Sequence, residues 1–330
     1  MFKNKKHVHS DDGDCCIELD MTVELNTSVA DIKLDNPVVA ASGSMGHSDE
    51  LFEVIDPREF GAITIKSLAP FLSPGNPSPR VGACPTGMMN SVGLPGPHIK
   101  DWIDSDLEKL KKSGAKIIMA IWGRTFEDYA KAAKIVTQYS ENFIALEVNV
   151  SCPNTEAGNR LFAFSKDDVQ KITELVKNEV GNKLPIFIKL SSSVTSIVDI
   201  ASGAVKAGAD GLTLFNTSLG LVIDPYTRKP ILGKGSGGYS GAGVFPIVCK
   251  GVYEVRSAFP EIPIIGVGGV SSGQDAAALM MCGANLVGIA TATFANPKAV
   301  IRINQELADF CFNTGVVKVS ELTNTIEMPT

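Results

Sequence analysis

Phe143-Ile144-Ala145-Leu146-Glu147-Val148 runs directly into Asn149-Val150-Ser151-Cys152-Pro153-Asn154, and the change of character at residue 149 decides how the chain is read. The first half is an apolar, β-branched run of the kind that fills a buried strand. Pro153 removes a ladder donor and forces a turn, so the strand stops serving the core here and begins presenting side chains. Cys152 thus stands at the carboxyl end of a strand, between the carboxamides of Asn149 and Asn154. A lone cysteine is ordinarily an inert small hydrophobe. Flanked by two neutral hydrogen-bonding groups, this one has the setting of an acid/base residue beside a polar, planar ligand.

Outward from that strand the same cadence recurs. Apolar, β-branched runs occupy 37–42, 62–66, 116–122, 143–149, 185–190, 211–216, 263–268 and 285–290, and helical spacing appears over 48–55, 126–139, 167–179, 198–207 and 274–281. Short buried strands alternating with amphipathic helices predict an α/β fold of parallel strands covered on one side, a (β/α)8 TIM barrel. An open doubly wound sheet is the competing architecture. It is disfavoured because Ser42-Gly43-Ser44-Met45-Gly46, after the first run, lacks the glycine spacing of a dinucleotide fingerprint. Weak alternation over 22–35 (Val23, Leu25, Val29, Ile32, Leu34) predicts an N-terminal β-hairpin closing one end of the barrel. A long irregular loop, dense in proline and glycine, is inserted after strand 2 over 69–98 and is suited to cover a site. Residues 1–21 are polar and aperiodic and read as a disordered leader, 22–312 as the barrel and 313–330 as a C-terminal tail.

Composition narrows the partners. With 330 residues, 44% of them hydrophobic, the chain can bury one large core, and a net charge of −6 with scattered basic residues argues against a nucleic-acid surface. No apolar run approaches the roughly 18 to 20 residues of a membrane span, and the polar start is no signal peptide, so a cytoplasmic protein is expected. Seven cysteines without framework spacing point to reduced thiols, and Cys15-Cys16 lacks metal-ligand spacing, so no metal is expected.

In such a barrel the chemistry sits at the carboxyl ends of the strands. There the chain places Ser42-Gly43, Lys66-Ser67, Asn149 to Asn154, Lys189, Asn216-Thr217, Gly268-Gly269 and Ala290-Thr291. The glycines of 266–273 allow backbone amides to close on an anion, and the helix start that follows would add its positive end, which predicts a phosphate site with the turn after strand eight. Buried lysines suit a flavin, whose reduced ring carries negative charge, and Lys189, inside Ile186-Phe187-Ile188, is the better candidate. A Schiff-base lysine is the rival reading, but it accounts for neither Cys152 nor the asparagines. Asn90, Asn149, Asn154 and Asn216 form a set of carboxamides able to satisfy a planar heterocyclic amide.

These pieces resemble one family. Asn36-Pro37 with Ala41-Ser42-Gly43, Gly75-Asn76-Pro77-Ser78-Pro79-Arg80, Asn90-Ser91-Val92-Gly93-Leu94, the hexapeptide from Asn149 to Asn154, Asn216-Thr217, Gly237-Gly238-Tyr239-Ser240-Gly241 and Val267-Gly268-Gly269-Val270 are similar to the class 1 dihydroorotate dehydrogenases. The resemblance is strongest to the catalytic subunits of the NAD-dependent class 1B form. It implies an FMN enzyme oxidising (S)-dihydroorotate to orotate, with Cys152 removing the C5 proton while hydride passes from C6 to the flavin. By the same resemblance Lys66, Asn90, Ser91, Val92, Gly93, Leu94, Asn149, Asn154, Asn216 and Thr217 would hold the substrate. Ser42, Lys66, Ser67, Asn149, Lys189, Phe215, Gly241, Gly268, Gly269, Ala290 and Thr291 would hold FMN. Two departures stand out: Ala290-Thr291 where the family usually has Gly-Thr, and no asparagine at the end of strand three, Met119-Ala120-Ile121-Trp122-Gly123. As class 1B, the chain would need a separate subunit carrying FAD and [2Fe–2S], in a heterotetramer. As class 1A it would be a fumarate-reducing homodimer. A dihydropyrimidine dehydrogenase-like flavin domain acting on uracil is the nearest enzymatic rival.

Overall fold

Each of the apolar runs becomes a strand of one closed barrel in the computed structural model, which describes residues 2–9, 16–151 and 162–329. The barrel strands are β1 (Val38–Ala40), β2 (Ala62–Thr64), β3 (Ile117–Ile121), β4 (Ala145–Asn149), β5 (Ile186–Leu190), β6 (Gly211–Leu214), β7 (Ile264–Val267) and β8 (Leu286–Ile289). They are parallel and lie in chain order, with β8 closing against β1. Val39, Ala62, Ile118, Ala145, Phe187, Ile265 and Leu286 form an inner cluster. Their sequence neighbours Val38, Ile63, Ile117, Leu146, Ile186, Ile264 and Val287 belong to the outer core. Burial on both faces is why the runs read as continuously apolar instead of alternating.

The helices are α1 (Ile99–Ser113), α2 (Phe126–Thr137), α3 (Lys166–Val180), α4 (Ile197–Lys206), α5 (Phe245–Ala258), α6 (Gly273–Met281), α7 (Thr291–Ala295) and α8 (Ala299–Thr314). α1, α5, α7 and α8 were not anticipated, although α1 buries Ile99, Trp102, Ile103, Leu107 and Leu110 at helical spacing. The helix expected over 48–55 is absent: turns fill the segment, and a single 3-10 turn follows at Pro57–Glu59. Asp56 precedes Pro57 and takes an extended ψ of 118°, which stops any helix at residue 55 and leaves it too short to propagate.

Beneath the barrel, Thr27–Val29 pairs with Ile32–Leu34 around Ala30 and Asp31, whose φ values of 46° and 64° make the tight turn that a two-residue hairpin requires. Val29 and Leu34 join the inner cluster and close that end. The inserted segment 69–98 is not irregular throughout. Val81–Cys84 and Gly87–Asn90 form a hairpin that joins Gly237–Ser240 and Ser218–Gly220 in a four-stranded antiparallel sheet. The leader also departs from expectation: Phe2–His9 runs antiparallel to Cys16–Val23. Ile17, Leu19, Met21 and Val23 alternate with polar residues, a strand period that composition masked. Beyond α8, Val319 and Leu322 are buried, and Val319 N–H donates to the Glu24 carbonyl at 2.9 Å. No helix among the described residues is long and apolar enough to cross a membrane.

Candidate active site

The ends of β1, β2, β4 and β6 are joined by one chain of hydrogen bonds. Ser42 Oγ donates to the Ile65 carbonyl at 2.8 Å, so its single proton is committed, and Ser67 Oγ at 3.3 Å donates to it. Asn149 Nδ2 donates to Ser67 Oγ at 3.2 Å. The Asn149 carbonyl oxygen accepts from Ser151 N at 3.2 Å, Ser151 Oγ at 2.9 Å and Asn216 Nδ2 at 3.5 Å. Asn216 Nδ2 also reaches Ser151 Oγ at 3.0 Å, and Asn216 Oδ1 accepts from Thr217 N at 2.8 Å. The Tyr129 hydroxyl, from α2, donates to the Asn149 backbone carbonyl at 2.9 Å and fixes the strand end from outside.

Beside this network opens a cavity of about 280 Å3. Ser42, Lys189, Phe215, Asn216, Thr217, Gly241, Gly268, Gly269, Ala290 and Thr291 line it. At one end, Gly268 and Gly269 hold φ values of 133° and 82°, where side chains are strained, and a Cβ on Gly269 would stand 2.5 Å from Phe245 Cβ. Thr291 Oγ1 donates to Ser240 Oγ at 2.9 Å in the same wall. Ala290 has a φ of −137°, outside the left-handed region, so no positive φ demands glycine there.

The helix start after β7 does not serve this end of the cavity, contrary to expectation. Ser271 and Ser272 amides donate to the Asp275 carboxylate at 2.9 and 3.0 Å, and the Gly273 amide donates to Glu306 at 2.7 Å. Ser272 and Asp275 form a capping box, so the first turn of α6 is satisfied by its own cap and by Glu306 of α8.

Lys189 enters the cavity from β5, and its ammonium lies 3.2 Å from the Glu147 carboxylate on β4, with side chains only 5% and 3% exposed. Lys66, Ser67 and Asn149 stand outside the cavity lining; the Gly43 backbone packs against the Lys66 stem, and a Cβ there would be 3.1 Å from Nζ. Asn90 sits on the covering sheet, donating weakly to the Gly238 carbonyl at 3.4 Å, and a Cβ on Gly238 would strike Thr217 Oγ1. Ser91 accepts from Asn76 Nδ2 at 3.0 Å, and Leu94 packs with Ala69 and Trp122. Ser91 and Leu94 therefore shape the covering segment through their side chains, and none of Asn90, Ser91, Val92, Gly93 or Leu94 lines the cavity. Cys152 and Asn154 lie outside the described residues.

The family profile for dihydroorotate dehydrogenase matches residues 24–311. The chain belongs to the dihydroorotate dehydrogenase family. It is 38% identical over 304 residues to the "dihydroorotate dehydrogenase B (NAD(+)), catalytic subunit" of Alkaliphilus metalliredigens (strain QYMF), covering 92% of this chain and 99% of that protein. A protein of the same name from Alkaliphilus oremlandii (strain OhILAs) is 38% identical, covering 90% of this chain and 97% of its own length. One from Bacteroides thetaiotaomicron is 33% identical, covering 92% and 99%.

Within this dihydroorotate dehydrogenase family member, several lining residues escaped sequence reasoning. Thr86, Tyr239 and Ser240 face the cavity from the covering sheet, and Thr86 and Tyr239 hydroxyls lie 2.6 Å apart. Ser151 bridges the two asparagines, and Glu147 pairs with Lys189. Glu147 was legible in principle: a carboxylate in the middle of a buried strand requires a partner. Among the described residues no cluster of three metal-ligating side chains is present.

Proposed function

We propose that this chain oxidises (S)-dihydroorotate to orotate in pyrimidine biosynthesis, as the cytoplasmic catalytic subunit of an NAD-linked class 1B enzyme with FMN as its resident cofactor. The observation that carries the reading is the pair of carboxamides, Asn149 and Asn216, held 3.5 Å apart next to a cavity that Lys189 enters. The cavity fits the cofactor in its chemistry: glycine backbone and the Ser240 and Thr291 hydroxyls at one end suit a phosphate, and an ammonium at the other suits an electron-rich ring. Gly241, Gly268, Gly269, Ala290 and Thr291 would hold the phosphate end, and Ser42, Phe215 and Lys189 the ring, with Lys66, Ser67 and Asn149 behind them. Bound FMN supplies the acceptor for the hydride leaving C6 of the substrate.

The remaining chemistry belongs to the chain. Asn149, Asn216 and Thr217, with Asn90 and Asn154, offer donors and acceptors to the planar ring amide and the carboxylate, and Lys66 offers a cation to the carboxylate. A ligand lacking those groups would leave buried carboxamides unpaired and be rejected. Cys152, which directly follows Ser151, takes the C5 proton as the hydride leaves C6, so that the ring loses one proton and one hydride and gains a double bond. As a class 1B enzyme the chain would pass its electrons to NAD through a separate subunit carrying FAD and [2Fe–2S]. Two catalytic chains and two such partners make the heterotetramer.

The test is spectroscopic. Purified chain loaded with FMN should absorb at about 450 nm and bleach anaerobically on adding dihydroorotate but not dihydrouracil. NAD reduction should appear only when the electron-transfer subunit is added. Bleaching by dihydrouracil alone would move the reading to the uracil-type flavin domains, and fumarate reduction by the isolated chain would move it to class 1A.

A further inference from the structure

Glu147 has no role in the reaction described so far, yet it is placed as if it had one. It lies on β4 two residues before Asn149, inside the barrel, 3% exposed and 3.2 Å from the Lys189 ammonium. Asn149 and Lys189 face each other across the β4–β5 ladder, so Lys189 is level with the strand-end network and Glu147, opposite Phe187, lies two residues further down the strand. The barrel interior around it is largely apolar, with Val39, Phe187, Ile265 and Val267 in one cluster. Thr213, opposite Lys189 on β6, keeps its hydroxyl buried and unpartnered, so the carboxylate and not that hydroxyl anchors the ammonium. Lys189 lines the cavity while Glu147 stays behind it.

We propose that Glu147 is a positioning residue that holds the Lys189 ammonium at the cavity wall and, by offsetting its charge, sets the reduction potential of the ring bound there. The inference rests on the FMN reading above. A lysine side chain has four rotatable carbons and no fixed direction of its own, so something must aim it. In a low-dielectric interior the charges also act strongly on a neighbouring ring. A bare ammonium would favour the extra negative charge of the reduced flavin, and a carboxylate immediately behind it subtracts from that effect. The pair therefore presents an aimed but attenuated cation.

Glu147→Gln keeps the shape and removes the charge. With FMN bound, the reduced-to-oxidised ratio at a fixed potential should rise about tenfold, an upward shift of about 30 mV for a two-electron couple. Glu147→Asp, which draws the carboxylate back by one carbon, should shift it in the same direction by less. A merely structural Glu147 would lower the melting temperature of both variants and leave the potential where it is. Wild-type potential in loaded Glu147→Gln overturns the proposal, and so does wild-type potential in Glu147→Asp if the glutamine variant does not fold. Failure of the wild-type chain to take up FMN would instead overturn the cofactor reading on which the inference stands.

Discussion

Asn149 shows how much one side chain can hold. Its amide nitrogen serves Ser67 and its oxygen serves Ser151 and Asn216, all at or near strand ends. Replacing it by alanine leaves buried hydroxyl and amide groups without partners. Asn149→Ala should therefore lose about 2 kcal/mol in denaturant unfolding, in addition to weakened orotate binding by titration. Cys152→Ala should bind FMN normally and lose turnover by a factor on the order of a hundred, measured in stopped-flow bleaching with dihydroorotate. Asn149, Lys189 and the paired glycines could be singled out from the chain because polar or flexible residues interrupt apolar runs there. Ser151 and Glu147 could not be assigned partners, since which side chain of a strand points inward is known only once the barrel closes.

At the level of elements, the turn after β7 and the helix after it separate into two roles. Gly269→Ala puts a side chain at φ 82° and drives its Cβ against Phe245. That variant should lose at least about 2 kcal/mol and much of its FMN affinity, followed by fluorescence titration. Ser272→Ala removes only the cap of α6 and should cost about 1 kcal/mol with FMN affinity unchanged, because the amide its hydroxyl satisfies is that of Asp275 within α6, and Ser272 does not line the cavity. The barrel strands were legible because their signal is local and continuous. The covering sheet was not, because Asn90 meets Gly238 across a separation of 148 residues, which no local pattern records. The failed helix before Pro57 has the opposite cause: its apolar spacing was present, but the proline boundary shortened it below what a helix needs.

For the molecule as a whole, stability should depend on pH through His47. This histidine sits between the β2 end and α1, its ring nitrogen 3.1 Å from the Pro95 carbonyl and its own carbonyl accepting from Trp102 Nε1 at 2.7 Å. Burial holds its pKa below the ordinary 6.5, with nearby Lys66 adding to the depression and Glu50 opposing it. The native state then binds fewer protons than the unfolded chain, so this contribution is intact above about pH 6.5 and is lost as pH falls toward the depressed value. Carboxylates with lowered pKa, such as Asp56 and Asp224, start from 3.8 and act only in more acid solution. The melting temperature of the wild-type chain should therefore fall between pH 6.5 and pH 5, and His47→Gln should fall less over the same interval. The covering sheet carries a lesson for protein engineering. One of its hairpins comes from the segment after β2 and its other two strands from the segment after β6, and they meet rung by rung. Neither insertion can be exchanged by itself: a chimera that borrows only one from a relative inherits a mismatched seam, whereas transplanting both together moves a complete roof.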